Sequence, residues 1–529
     1  MGIKLLALAL CLGCTATNAA EYKAEVFISG YGFHGIHGIA FDPQDRVYVG
    51  SVVGQAIYRV DPDTGESVVW QAPPLGMADD IEVGPDGTLY WTSYLLGKIH
   101  ARKGDGPIRE LATGLPGINS LAMNAEGRLF ATQVFLGDAL YEIDPTGQKP
   151  PRKIMQDMGG LNGFDFGADG LLYGPLWFKG QVAKVNVDTA VLTVVADGFM
   201  IPAAVNFNAK QDLFVLDTGR GEIIKVDTDS GARTVISEFK TAMDNLAFNS
   251  MDDLYVTVMA ESAIYHIDTE TGKYRTVKEA PLSFPADIDV VGNTLYISDT
   301  FAMKSVDLKT KAVRSLSRVG EHELEYSNGI TVNTERIHQA SYFNNAVQTL
   351  DANSGEILHT YHDLDTPFDV LELDDGSLIV LQMAPGNILR LSKDGAHELL
   401  VSDLQLPVSM ARADANTIYV TQTGNGTIAS VNLETGARTI VSAELNGPEG
   451  IDVGSDGTIY VAEVGSRQAL AIDPNTGSKT VLATDLPIGF KMPSTMPPIG
   501  GTTGIAVAEN GDVYIVSDIE DGIVKITLQ

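Results

Sequence analysis

The feature that most constrains this chain is an internal repeat. One copy, starting at Gly38, reads GIAFDPQDRVYVGSVVGQAIYRVDPDTGESVVW. It holds four short runs of alternating apolar character: Gly38 to Phe41, Val47 to Val49, Ala56 to Val60 and Ser67 to Trp70. Alternation at period two puts every second side chain on one face, and turn residues such as Asp61-Pro62-Asp63-Thr64-Gly65 fold the runs back on one another. The unit recurs from near Asp79, Asn119, Asn162, Ala203, Asp244, Ala286, Asn328, Phe368, Val408, Glu449 and Thr503, which makes twelve copies. The period is about 41 residues, the length of one four-stranded propeller blade. A single meander cannot bury both of its faces, so the copies must stack around an axis. The predicted fold class is all-β, a β-propeller of twelve four-stranded blades.

Rings of four to eight blades are typical. Two six-bladed propellers over residues 21–281 and 282–529 are therefore expected, with one twelve-bladed ring as the alternative. The last copy ends at its third strand, GIVKITLQ, while KAEVFIS (residues 23–29) precedes the first copy as a strand without a blade. Strand 23–29 is thus predicted to complete the last blade. Repeat six already has an outer strand of its own, KYRTVKE from Lys273.

Residues 1–20 have the form of a signal peptide: Lys4, the apolar stretch Leu5 to Leu12, then Thr17-Asn18-Ala19-Ala20. Both cysteines, Cys11 and Cys14, fall inside it, and Leu12-Gly13-Cys14 is a poor match to a lipoprotein site because Cys11 stands where an aliphatic residue is usual. Cleavage near Ala20 leaves no cysteine for disulfides, thiol catalysis or zinc. No later stretch is long and apolar enough to span a membrane. The expected location is periplasmic or secreted. A net charge of −32 argues against a nucleic-acid partner.

The repeated Asp-x-x-x-Gly turns invite a calcium reading, but they lack the ligand run and closing Glu of an EF-hand. An Asp capping backbone N–H groups, with Gly at a positive-φ position, explains them structurally.

In a propeller the first residue of each innermost strand meets the central channel at one face. The first six copies place His37, Asp79, Asn119, Asn162, Ala203 and Asp244 there. The second six place Ala286, Asn328, Phe368, Val408, Glu449 and Thr503. The first set is mostly polar, and Asp and Asn oxygens suit a hard cation such as Ca2+. A wet channel whose polar groups satisfy one another is the bland alternative.

With those residues in view, the repeats resemble the SMP-30/gluconolactonase/luciferin-regenerating-enzyme family, and more loosely NHL-repeat and virginiamycin B lyase-like propellers. The resemblance covers nearly the whole chain after residue 20, mostly through generic blade residues. It implies six-bladed rings and a divalent metal, usually Ca2+, held by Glu from the first blade, Asn from the third and fourth and Asp from the fifth. Asn119 and Asn162 (LNGF) match. His37 stands where Glu is expected and Ala203 where Asp is expected, with Asp79 and Asp244 as substitutes from neighbouring blades. Counted from repeat eleven, Glu449 (GPEGI) and Asn328 (SNGI) outline a possible second site, with Asp369 beside Phe368 at the fifth position.

These readings make His37, Asp79 and Asp244 the candidate catalytic residues, and Asn119, Asn162 and Asp244 the candidate metal ligands. His34 in FHGIHGI, Trp177 and Asp217 are expected to line a substrate mouth, where strand-end aromatics such as Tyr94, Phe135, Trp177, Phe178 and Phe301 would suit a cyclic or sugar-like ligand. Packing between blades is the alternative for these aromatics. The irregular segment DLPIGFKMPSTMPPIGG (residues 485–501) is expected to form a lid. The leading functional expectation is a metal-dependent hydrolase opening a lactone, sugar-derived or otherwise, or a similar ester. The alternatives are a lyase or isomerase with His37 as base, and a non-catalytic propeller that binds a ligand or protein.

Overall fold

The computed structural model describes residues 22–321, 323–492 and 501–529. The expected signal peptide and residues 493–500 of the expected lid lie outside the described residues.

The chain folds into twelve four-stranded antiparallel sheets, as the repeat predicts. Blade 2 shows how the sequence sets the geometry, with strands Ala78–Val83, Thr88–Ser93, Lys98–Lys103 and Arg109–Ala112. In its first hairpin Asp86 Oδ1 accepts the Thr88 N–H at 3.0 Å and Gly87 adopts φ +78°. The outer turns follow the same chemistry. Asp61 Oδ1 accepts the backbone N–H groups of Asp63 and Thr64, and Gly65 (φ +71°) donates back to the Asp61 carbonyl at 2.9 Å.

The blades close into two six-membered rings. In the first (residues 39–278) the inner strand Met243–Phe248 of blade 6 lies beside Ile39–Phe41 of blade 1. Ile39, Val47 and Tyr58 pack there against Tyr255 and Ile264, and Thr257 Oγ1 donates to the His37 carbonyl. In the second, the inner strand Pro285–Val291 of blade 7 lies beside Ile505–Val507 of blade 12, and the Gly504 N–H donates to the Ala286 carbonyl at 2.9 Å. Tyr22–Ile28 pairs antiparallel with Gly522–Leu528, from Tyr22 opposite Leu528 to Ile28 opposite Ile523. The second ring is therefore discontinuous in sequence. Its last blade takes its outer strand from the N-terminal side of the first ring, which is inserted whole.

Around each axis carboxylates tie inner strands together. Asp80 Oδ2 accepts the Leu121 N–H, Asp165 Oδ2 that of Phe207, Asp287 Oδ2 that of Ile330, Asp369 Oδ2 that of Met410 and Asp452 Oδ2 that of Val507. Each of the five also accepts the N–H of its own following residue through Oδ1. One carboxylate thus satisfies donors on two adjacent blades. Glycines make room: a Cβ on Gly504 would lie 2.3 Å from Asp287 Oδ1.

The two rings meet along an apolar seam in which Val53, Met259 and Ala260 of the first pack against Phe284, Phe301 and Ala302 of the second. Lys304 is buried in it, its Nζ 2.6 Å from Asp299 Oδ2 and donating to the Ala260 and Pro281 carbonyls.

Candidate functional site

Strand register fixes which loops share the channel-mouth face. Ala78 pairs with Ser93, Ile118 with Gln133 and Leu161 with Leu176. The start of each inner strand, which carries the channel residue, is therefore level with the end of the second strand and the loop that follows it.

At the first ring's mouth His37 Nδ1 lies 3.6 Å from Asp244 Oδ2. His37 Nε2 is buried and has no hydrogen-bond partner. Asp79 is held well above the usual carboxylate range by burial and then by the neighbouring Asp244 and Asp80 carboxylates. Asp80, one step down the channel, is pushed up to about 7 by burial, although its Oδ1 accepts from Asn245 Nδ2 at 2.9 Å. No lysine or arginine among the described residues pairs with these acids. Asn119 and Asn162 are brought together by Ser120, whose Oγ lies 2.7 Å from Asn119 Oδ1 and 3.0 Å from Asn162 Oδ1. The fifth-blade position holds buried Ala203, which offers no polar group.

Two side chains of the second ring reach this mouth. The Phe301 ring lies edge-on to His37 with centroids 5.6 Å apart, and Tyr326 lies edge-on to Phe301 at 5.9 Å. Burial raises the Tyr326 hydroxyl, and the nearby Asp244 and Asp79 carboxylates add to the shift. Tyr94 of blade 2 is raised in the same way by burial and Asp79. Sequence reasoning missed Tyr326 because a repeat pattern carries no information about which residue of one ring reaches the channel of the other. It also missed Asp80, Ser120 and Asn245, which stand one residue past the expected channel positions.

The residues expected to line the mouth are dispersed. His34 is packed in the seam against Phe490 at 4.6 Å, its Nδ1 and Nε2 engaged with the Gly32 and Asp518 carbonyls at 2.8 and 2.9 Å. Burial holds it down to about 4. Asp217 is fully buried and caps the N–H groups of Met200 and Ile201. Trp177 stays on the channel-mouth face, edge-on to Phe135 at 5.3 Å.

In the second ring, Asn328 Nδ2 donates to the Phe368 carbonyl at 2.9 Å and its Oδ1 accepts from the Thr502 N–H at 3.3 Å. Glu449 Oε2 accepts the Thr503 N–H at 2.9 Å, and burial with the Asp518 charge pushes Glu449 up to about 8. These groups are satisfied by residues 502–503, just past the expected lid.

The donor chemistry of the first mouth suits a hard divalent cation: carboxylates, amide oxygens and no counter-charge. The site is not preassembled. Both amide oxygens face one hydroxyl, and among the described residues no three His, Cys, Asp or Glu side chains gather as a metal site.

Fold and site together define a double β-propeller, one ring inserted into the other, whose first channel mouth is polar and walled in part by the second ring. A family model described as outer membrane protein assembly factor BamB matches residues 219–480, which run from blade 5 into blade 11 across both rings. Virginiamycin B lyase from Staphylococcus aureus is a structural neighbour at 16% identity and TM-score 0.39, covering 52% of this chain and 96% of its own. The extracellular domain of a one-component system from B. thetaiotaomicron is another, at 10% identity and TM-score 0.34, covering 93% of this chain and 75% of its own. No curated protein matches the chain. Likeness at these identities and TM-scores says nothing of the site's chemistry.

Proposed function

We propose that the first ring's channel mouth is a small-molecule active site of the lyase or isomerase kind, with His37 as general base and Asp79 as general acid. The observation that carries this is the state of His37. Its Nδ1 faces Asp244 and its Nε2 is left without a partner. A carboxylate at Nδ1 favours the tautomer protonated there, so Nε2 presents a lone pair. The 3.6 Å separation is long, as such contacts often are before substrate binds.

Asp79 complements this base. Held above the usual carboxylate range, it takes up a proton more readily than an ordinary carboxylate, which suits it to donate to an oxygen on which charge develops. Asn119 and Asn162, their oxygens turned to Ser120, retain Nδ2 donors to hold a substrate carbonyl. His37 would take a proton from the carbon beside that carbonyl, and Asp79 would protonate the enolate oxygen or the leaving group.

A second reading keeps the lactone hydrolase with Ca2+ at Asp79, Asp244, Asn119 and Asn162. The favouring observation is the set of neighbouring carboxylates without a cationic side chain. Bound there, the ion would neutralise the carboxylates and polarise a carbonyl. A signal-peptide-like segment at 1–20, with no cysteine after it, supports a periplasmic or secreted location.

The test is a panel of lactones, esters and β-substituted carbonyl compounds turned over in 18O-labelled or deuterated water. The acid–base reading expects elimination or carbon-bound deuterium without 18O uptake. It also expects losses of roughly 10²-fold or more in His37→Gln and Asp79→Asn. Calcium-dependent 18O uptake would favour the hydrolase. Binding without turnover of any panel member would favour a non-catalytic propeller.

A further inference from the structure

The surroundings of the first mouth deepen the proposed function by indicating what kind of molecule it takes. On the side away from the seam the chain exposes large apolar side chains at one place. Phe135 is 44% exposed, Leu136 63% and Phe178 61%. Phe135 stands edge-on to both Trp177 and Phe178, at 5.3 and 5.9 Å. They are continuous with the site. Leu136 packs over Gly117, two residues before Asn119, where an added Cβ would lie 2.8 Å from Leu136 Cβ. Phe178 and Trp177 donate their N–H groups to the Gly159 and Gly160 carbonyls, in the loop that delivers Asn162. Across the mouth stand Phe301, beside His37, and Tyr326.

Exposed aromatic surface of this kind lowers solubility unless something covers it, and aromatic faces beside a few polar groups are how proteins hold amphipathic small molecules. The floor carries Asp79, Asp80 and Asp244, and the whole chain is strongly acidic. An anion would be repelled on approach and again at the floor.

We infer that the first mouth takes an amphipathic molecule without negative charge, whose polar, reacting end meets His37 and Asp79 and whose aromatic or alkyl body lies on the shelf of Phe135, Trp177 and Phe178. This rests on the proposed function for the reacting end alone. The shelf makes an apolar-bodied carbonyl compound, rather than a free sugar lactone, the substrate class.

The test titrates the full chain with the uncharged fluorophore N-phenyl-1-naphthylamine, folding being checked by circular dichroism. Phe135→Ala and Phe178→Ala are expected to raise its dissociation constant roughly tenfold each. Leu399→Ala, which removes an equally exposed leucine from an outer strand of blade 9 (59% exposed), is expected to stay within about twofold. The anionic 1-anilinonaphthalene-8-sulfonate is expected to bind roughly tenfold more weakly than the neutral dye. Unchanged binding in both shelf variants, or an equal loss in Leu399→Ala, would overturn the shelf. Equal binding of the two dyes would overturn the exclusion of anions. Failure of the acid–base reading is separable: His37→Gln would then keep full turnover, while the shelf variants would still lose the dye.

Discussion

Carboxylates without counter-charges run through both rings, and their protonation sets how this protein responds to pH. Burial pushes Asp289 up to about 6, Asp369 and Asp452 up to about 7 and Glu449 up to about 8. In the unfolded chain such groups titrate near about 4. Between those limits the folded state holds more protons than the unfolded one, so stability falls as pH rises through the window. His34 and His100, held down to about 4 by burial, act in the opposite sense below about 6.5. Thermal unfolding is therefore expected to shift to lower temperature between about pH 6.5 and 8, and Asp452→Asn is expected to flatten that slope. Calorimetry across the pH range checks both. A midpoint that rises over this window would contradict the assignment. Asp369→Asn is expected to cost about 1 to 2 kcal/mol, because an amide has one oxygen where the carboxyl uses two to hold Val370 and Met410. Chemical denaturation of the variant measures it.

Among the elements, turns and strands were legible in the sequence because their causes are local. Period-two alternation, Asp caps and positive-φ glycines all act within a few residues. Asn119 and Asn162 could be placed near one channel for the same reason, since each stands at or just before the start of an inner strand. His34 was misjudged because its neighbourhood is made by Phe490 and Asp518, more than 450 residues away. Asp217 reads as a strand-end acid at a rim, yet its carboxyl serves the backbone of the preceding loop. The seam between rings is equally invisible in the repeat, and Lys304 is its most sensitive part. Lys304→Met leaves Asp299 buried beside apolar groups and is expected to destabilise the protein by about 3 to 5 kcal/mol. The double variant Lys304→Met with Asp299→Asn, which removes the charge but keeps an acceptor for the Ser283 and Phe284 N–H groups, should recover most of that loss. A double variant as unstable as the single one would show that the charges are not what the seam requires.

At the scale of the whole molecule, the inserted first ring and the split second ring should be separable by spectroscopy. All three tryptophans, Trp70, Trp91 and Trp177, belong to the first ring. Phe27 lies in the N-terminal strand and packs edge-on against Tyr514 of the second ring at 5.1 Å. Phe27→Ala is expected to weaken the second ring by about 3 kcal/mol. The far-ultraviolet circular dichroism transition should then move to lower denaturant while tryptophan fluorescence moves less. Coincident shifts would mean that the two rings unfold as one unit. Ring number was legible from typical blade counts, and the closing strand from the two unfinished ends. From sequence, the choice of the first ring as the candidate site rests on a difference in polarity alone. The structure adds that the second channel's Glu449 and Asn328 are bound to residues 502–503, whereas His37 Nε2 in the first has no partner.

That contrast gives the most direct test. Turnover of the best panel substrate is measured for the wild type, His37→Gln and Glu449→Gln under identical conditions. The account predicts a loss of roughly 10²-fold or more in His37→Gln, and a rate in Glu449→Gln within about twofold of wild type. Full activity in His37→Gln, or its loss in Glu449→Gln with the fold intact, would place the chemistry elsewhere and contradict the account.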